Sequence, residues 1–391
     1  MPRRDWILLP ALSLLTICLM FVSTELIARW IFPTLPTVGE DCMVFDDPST
    51  GSRGIPNSEC SEKLPDGELT EYSFNSCGHR AGMECGVKTP GAYRIVMLGS
   101  SIATGMRVPR DETFAALLPV ELSQRTGRKV ELYNEGMPWR PPSVIALHFD
   151  EVLAAKPDMV LWVLSPRDIW NESHPQSLPV PDSKASAPGS TAGLVLAAPY
   201  RVMVAFAQRS VPDVVRNLWD RKKTGFLLRH YLYESQSQYV KSYLMRDRDV
   251  EYLKVEPSEE WQTRLQQLDG ITTELEAQAR VADVPLVVLL VPERAQAAMI
   301  SMGDWPTRFD PYKLDNELRS MIITHGGTYI DILPALRHIL NPEKGYFSVD
   351  GHPNAQGHAM ISRLLATELT SGAVPALKVA TQSQAASGQG R

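Results

Sequence analysis

The chain has 391 residues, 44% of them hydrophobic, and a formal net charge of −6. That length allows one large domain or two ordinary ones, with ample apolar material for a core. The acidic balance, with no basic run and no interleaving of basic and aromatic residues, argues against a nucleic-acid partner.

In chain order, the first signal is an uncharged stretch from Trp6 to Thr24, preceded by Arg3 and Arg4 and followed by Glu25 and Arg29. Its 19 residues approach the roughly 20 that a helix needs to cross a bilayer core. The leading arginines keep the N-terminus in the cytoplasm. A cleaved signal peptide is the competing reading, but the apolar run is long for one and no small-x-small site follows it. A buried core helix is the third, and the position at the extreme N-terminus disfavours it. The expectation is a single-pass signal anchor over residues 1–32, in an inner (cytoplasmic) membrane, with the rest on the extracytoplasmic, periplasmic side.

Residues 33–90 are rich in Pro, Gly, Asp and Ser and read as a loop-rich stalk or cap. They hold Cys42, Cys60, Cys77 and Cys85, while Cys18 lies in the apolar run. Four cysteines beyond a membrane suggest two disulfides, with three possible pairings. A zinc site is the weaker alternative, because no Cys-x-x-Cys pair is present.

From residue 91 the pattern alternates. Strands are expected at Tyr93–Leu98, Lys129–Tyr133, Met159–Leu164, Pro285–Leu290 and Thr328–Ile332. Helices are expected at Asp111–Gln124 (with Asp111 as cap), Pro142–Ala155, Ser258–Val281, Pro311–Thr324 and Ala355–Leu369. Alternation of this kind implies a parallel sheet covered on both faces, with its active site beyond the C-terminal strand ends. Residues 171–257 break the rhythm and read as an insertion with helical stretches at Val202–Ala207 and Val214–Tyr233. The domain spans 91–375, and residues 376–391 form a tail with a disordered composition.

Candidate chemistry falls at the strand ends. Gly99-Ser100-Ser101 follows the first sheet strand, where a tight turn can expose a hydroxyl. Asp350-Gly351-His352-Pro353-Asn354 precedes the last helix. A serine hydroxyl needs a base to take its proton, and a histidine oriented by a carboxylate is the usual one. The serine turn is not Gly-x-Ser-x-Gly, because Ala103 holds the last position, which disfavours a nucleophile elbow of the α/β-hydrolase kind. His352 and His358 do not have a usual ligand spacing, so no metal and no cofactor are expected. Pro292-Glu293-Arg294 reads as a pocket edge or a charged turn. Trp139, Trp162 and Trp170 suit either sugar rings or the core.

Together these blocks resemble the SGNH/GDSL hydrolases over about residues 70–370. Gly99-Ser100-Ser101 is similar to the Gly-Asp-Ser block, Asn134-Glu135-Gly136 to the glycine block, and Asp350 to Asn354 to the Asp/His block. Asn75 to Arg80 looks like the lead-in of membrane-anchored members. The resemblance implies a three-layer α/β/α flavodoxin-like fold with a five-stranded parallel sheet. It also implies Ser101 as nucleophile, His352 as base, Asp350 as its orienting acid, and an oxyanion hole from the N–H groups of Ser101 and Gly136. The chain departs from the family at Ser100, which replaces the Asp of Gly-Asp-Ser, and at Arg167 in Ser165-Pro166-Arg167-Asp168, which stands where the oxyanion Asn is expected. Arg167 can serve as an oxyanion donor, bind a substrate anion or pair with Asp168. Asn134, Asp168 and Asn354 are candidate substrate-binding residues. The activity so implied is ester hydrolysis, with an O-acyl group of an extracytoplasmic glycan as substrate. The alternatives are an O-acetyltransferase, a lipid esterase, or a degenerate domain that binds glycan in an envelope assembly.

Overall fold

The computed structural model describes residues 5–31, 39–47, 51–63, 67–171, 222–246 and 249–379. The chain divides into two compact units, one made of residues 1–34 and 177–234, the other of 35–176 and 235–391.

In the first unit a single helix runs from Asp5 to Ile31, and its segment Trp6–Ile31 is long and apolar enough to cross a membrane. It continues beyond the uncharged stretch because Glu25 and Arg29 pair one turn apart, at 2.8 Å. Glu25 also accepts the Thr224 N–H at 3.1 Å and the Thr224 hydroxyl at 3.0 Å. It thereby caps the helix Lys223–Leu232, whose first N–H groups have no partner inside their own helix. The stretch Val202–Ala207 lies outside the described residues, as do the first part of Val214–Tyr233 and the tail from residue 380.

The second unit is built on five parallel strands: β5 (Tyr93–Gly99), β6 (Val130–Asn134), β7 (Met159–Leu164), β8 (Leu286–Leu290) and β9 (Thr328–Ile330). They lie in the order β6-β5-β7-β8-β9. This is the flavodoxin-like 2-1-3-4-5 arrangement, whose switch point falls between its first and third strands, here β5 and β7. Every residue of β5, β7 and β8 is buried, as continuous Val/Ile/Leu runs covered on both faces should be. Helices Phe114–Thr126, Glu259–Val281, Lys313–His325 and Ala355–Glu368 stand close to the expected spans.

Two local expectations need correction, and one helix was not foreseen. The first covering helix begins at Phe114 with Thr113 as cap, not at Asp111, because Phe114 is the first side chain that must enter the core. The span Pro142–Ala155 is two short helices, since His148 N–H bonds back to Ile145 O, three residues away, and the chain restarts at Phe149. A helix at Arg294–Met302, almost wholly buried, carries no amphipathic stripe by which to read it.

Where a loop-rich stalk was expected, the described residues between 39 and 73 include two antiparallel hairpins, β1 (Met43–Asp47) with β2 (Gly51–Gly54) and β3 (Glu59–Lys63) with β4 (Leu69–Ser73). In β4, Thr70 and Tyr72 point inward between exposed Leu69 and Glu71, a period-2 pattern too short to stand out among turn residues. Disulfides join Cys42 to Cys60 and Cys77 to Cys85. Cys42, Met43, Tyr72 and Phe74 share a buried cluster with Met106 and Met137, which follow β5 and β6. The hairpins thus pack onto the strand-end loops of the sheet.

Candidate active site

The turn after β5 is a backbone device. Gly99 has φ 145°, and a Cβ there would lie 2.5 Å from Val163 O on β7. Only glycine lets the chain turn this close to its neighbour. Ser101 then opens a one-turn helix, Ser101–Thr104, which Gly105 ends at φ 72°. Under the turn lies Asp168, buried at the switch point. Its Oδ2 accepts the Ser165 N–H at 2.6 Å and the Ser165 hydroxyl at 2.8 Å, and the Ser100 hydroxyl donates to the same carboxyl. Burial pushes that carboxyl up to about 6, against the pull of these hydrogen bonds. Ser100 therefore stands where an acid is expected and donates to an acid from the adjacent strand.

His352 arrives from the loop after β9. Its Nε2 lies 2.8 Å from Ser101 Oγ, and its Nδ1 lies 2.6 Å from Asp350 Oδ1. Asp350 Oδ1 also accepts the His352 backbone N–H at 3.2 Å, which ties the acid to its own loop. Nδ1–H donating to Asp350 leaves Nε2 free to accept the serine proton. Burial, with Arg107 and Arg167 as nearby positive charges, pushes His352 down to about 3, while Glu293 and Glu62 pull the other way. The imidazole is thus held neutral, the form a base requires.

One charged group at this triad carried no signal in the sequence. Arg107 forms an ion pair with Asp350 Oδ2, and its Nη1 lies 3.0 Å from His352 Nδ1. Its Nε is 3.7 Å from buried Glu62 on β3. Its backbone N–H donates to the Tyr72 hydroxyl at 2.6 Å, and that hydroxyl donates to Glu62 at 3.2 Å. A lone arginine between Met106 and Val108 belongs to no motif; only the packing of β3 and β4 on this loop makes it matter. Arg80, in the lead-in block, lies over the Tyr72 ring and donates to the carbonyls of Thr104, Gly105 and Val108, so it stitches down the segment that carries Arg107.

Several expected binding groups make hydrogen bonds within the fold. Gly136 N–H donates to Asn134 Oδ1 at 3.0 Å, and Asn134 Nδ2 donates to Ala103 O at 2.8 Å, all of them buried. The Gly136 N–H is thus engaged within its own loop, and the Asn134 side chain braces the serine helix. The absence of a Cβ at Gly136 is what admits Ala103, which a side chain would meet at 2.6 Å. Asp168 is sealed beneath the turn. Asn354 caps the last helix, accepting the Gly357 N–H at 3.1 Å, and donates to Lys344 O at 2.8 Å.

Arg167 does not pair with Asp168. Its Nε donates to Glu293 at 3.0 Å, the other Glu293 oxygen accepts the Tyr243 hydroxyl at 2.7 Å, and its side chain is 56% exposed. The turn Pro292 to Arg294 thus supplies the counter-charge for Arg167, while Arg294 is buried over the Tyr239 ring. Trp162 is core and Trp170 packs against Trp261. Trp139, at φ 55° beyond β6 and 43% exposed, lies edge-on to Phe45. His358 accepts the Phe114 N–H at 3.2 Å and stacks on the Phe114 ring, a packing role.

No protein-family model and no curated protein sequence matches the chain. Among solved structures it is similar to Axe2, an acetylxylan esterase from Geobacillus stearothermophilus, at 11% identity over 73% of this chain and 96% of that one, with a TM-score of 0.39. It is also similar to LAE5, an alpha/beta hydrolase from the metagenome of Lake Arreo, Spain, at 15% identity over 73% and 96%, TM-score 0.37. TesA matches at 10% identity over 71% and 97%, TM-score 0.37. The strand order gives the flavodoxin-like α/β arrangement expected from the sequence, and it brings the serine at the end of the first sheet strand to the Asp-Gly-His loop that precedes the last helix.

Proposed function

We propose that the chain is a serine esterase that removes O-acyl groups from an extracytoplasmic glycan. The observation that carries this reading is the 2.8 Å contact between Ser101 Oγ and His352 Nε2, with Asp350 on the other ring nitrogen. His352 takes the hydroxyl proton as Oγ attacks the acyl carbonyl. The tetrahedral oxyanion is held by the Ser101 N–H and the Arg167 guanidinium. The alcohol leaves with the proton from His352, and the acyl group stays on Ser101. Water, deprotonated in turn by His352, then releases the carboxylic acid and restores the serine.

The glycan assignment is supported by location and surface. A helix long enough to span a bilayer precedes the domain, two disulfides suit an oxidising compartment, and Trp139 offers an exposed aromatic face of the kind that stacks on sugar rings. The anchor, the periplasmic location and the single-pass topology belong to the same proposal. A second reading, a glycan-binding domain with little turnover, is favoured by one observation: the Gly136 N–H is already engaged, which leaves the oxyanion poorer in donors.

Hydrolysis of p-nitrophenyl acetate and labelling by a fluorophosphonate decide between the two. Turnover and labelling that vanish together in Ser101→Ala support the esterase. Equal background in both proteins, with glycan retained on an affinity matrix, supports the binder. Acetate released from an O-acetylated glycan identifies a hydrolase; acetyl appearing on an added sugar acceptor identifies a transferase.

A further inference from the structure

The most heavily built part of the site is one that the hydrolase reading does not require. Asp350 presents Oδ1 to its own histidine, through both Nδ1 and the backbone N–H. Its Oδ2 faces Arg107, which comes from the segment after the serine helix. Arg107 is not placed there casually. It sits at φ 69°, a left-handed backbone that a side-chain-bearing residue adopts only when its surroundings enforce it. The enforcement is visible. The N–H is held by the Tyr72 hydroxyl, the carbonyl accepts the Thr70 hydroxyl at 3.2 Å, and the guanidinium lies between Asp350 and Glu62. Thr70 and Tyr72 belong to β4 and Glu62 to β3, so one hairpin supplies three of these holds. That hairpin is in turn tied by the Cys42–Cys60 disulfide, whose Cys60 stands two residues before Glu62.

We infer that Arg107 is a positioning residue of the triad: delivered by the β3–β4 hairpin, its guanidinium clamps the outer oxygen of Asp350 and sets a fixed positive charge beside the His352 imidazole. This rests on the proposed esterase reading only in its kinetic consequences.

The electrostatics follow from the geometry. A guanidinium cannot accept a proton, and Nδ1–H is committed to Asp350, so the 3.0 Å approach of Arg107 opposes a second proton on the ring. The charged groups around His352 are Asp350 on its own loop, Arg107 after β5, Arg167 after β7, Glu293 after β8 and Glu62 on β3. Without Arg107, Asp350 keeps its full charge for the imidazole, and protonation of the ring becomes easier. The clamp therefore exchanges some basicity of His352 for a base that stays neutral in acid and an aspartate with a single orientation.

The test uses the full-length protein in detergent, as wild type, Arg107→Gln and Arg107→Lys, with two readouts. The first is the pH dependence of kcat/KM for p-nitrophenyl acetate. The second is deuterium exchange at the imidazole C2 of His352 as a function of pH, read by mass spectrometry, which reports the titration of the ring without turnover. In Arg107→Gln the acid limb of the rate profile and the exchange midpoint should both move up by about one pH unit or more. Arg107→Lys, which keeps the charge, should restore most of the wild-type position. If the Gln variant loses rate while its acid limb and its His352 titration coincide with wild type, Arg107 only supports the fold and the inference fails. If no protein hydrolyses the ester, the esterase reading fails, and the exchange midpoints still decide the role of Arg107.

Discussion

The two sides of the site are built differently. On one side, Ser101 comes from the end of β5 and Asp350 and His352 from the loop before the last helix, and their side chains meet one another, with Arg107 on the outer oxygen of Asp350. On the other, the loops after β6 and β7 carry Asn134, Gly136 and Asp168, whose polar atoms are spent on backbone and neighbouring side chains. Both regions are polar and both lie largely out of water. What separates a reactive group from a brace is whether its hydrogen-bonding capacity is saturated by its own fold. A histidine with one nitrogen committed and the other on a hydroxyl is a tool, whereas an asparagine with both ends bound to backbone is a strut.

The comparison breaks most sharply at Asp350. Replacing it by Asn keeps the shape but favours the wrong tautomer of His352, and esterase kcat should fall on the order of 10^4-fold. A loss of only a few-fold would mean that the Asp350–His352 contact orients nothing. Asp168→Asn probes the other side, and its effect should appear in stability, not in rate. The carboxyl titrates near 6 in the folded chain because of burial, above its ordinary 3.8. Between those values the folded state holds a proton that the unfolded state has lost, so the residue's contribution falls as pH rises. Relative to Asp168→Asn, the wild type should lose up to about 3 kcal/mol between pH 4 and pH 6 and change little above, as read by chemical denaturation.

Arg167 lies between the two categories, exposed yet paired. If it serves the oxyanion, Arg167→Ala should lower kcat about 100-fold with KM little changed. If KM rises and kcat holds, it binds ground-state substrate and belongs with the contact surface. The smallest effect is expected at Asn354, where Asn354→Ala removes a helix cap worth about 1 kcal/mol of stability. Its ester turnover at saturating substrate should match wild type at 25 °C, and a large loss of rate would return Asn354 to the substrate-binding set.

The sheet was legible because its strands are short unbroken apolar runs between turn residues, and Met159–Leu164 needs no context to be recognised. The meeting of Ser101 with His352 was legible for a related reason: the resemblance paired Gly99-Ser100-Ser101 with Asp350 to His352, and the topology of a doubly wound sheet brings those two segments together. The helix Arg294–Met302 was not, because a helix buried all round has no polar face to mark its period. The hydrogen bonds of Gly136 and Asn134 were not legible, since a motif names residues without saying where their hydrogen bonds end. Arg107 and Glu62 were invisible: their importance exists only after a hairpin far upstream has folded against the loop behind the nucleophile.

That last feature moves the practical boundary of the α/β domain. A soluble version begun at Tyr93, where the sheet starts, would retain all five strands and every member of the triad yet discard Glu62, Thr70, Tyr72 and Arg80, leaving Arg107 without its scaffold. A version begun at Gly39 keeps both hairpins and both cystines. What reads along the chain as a spacer is, in the folded protein, the scaffold of the arginine beside His352.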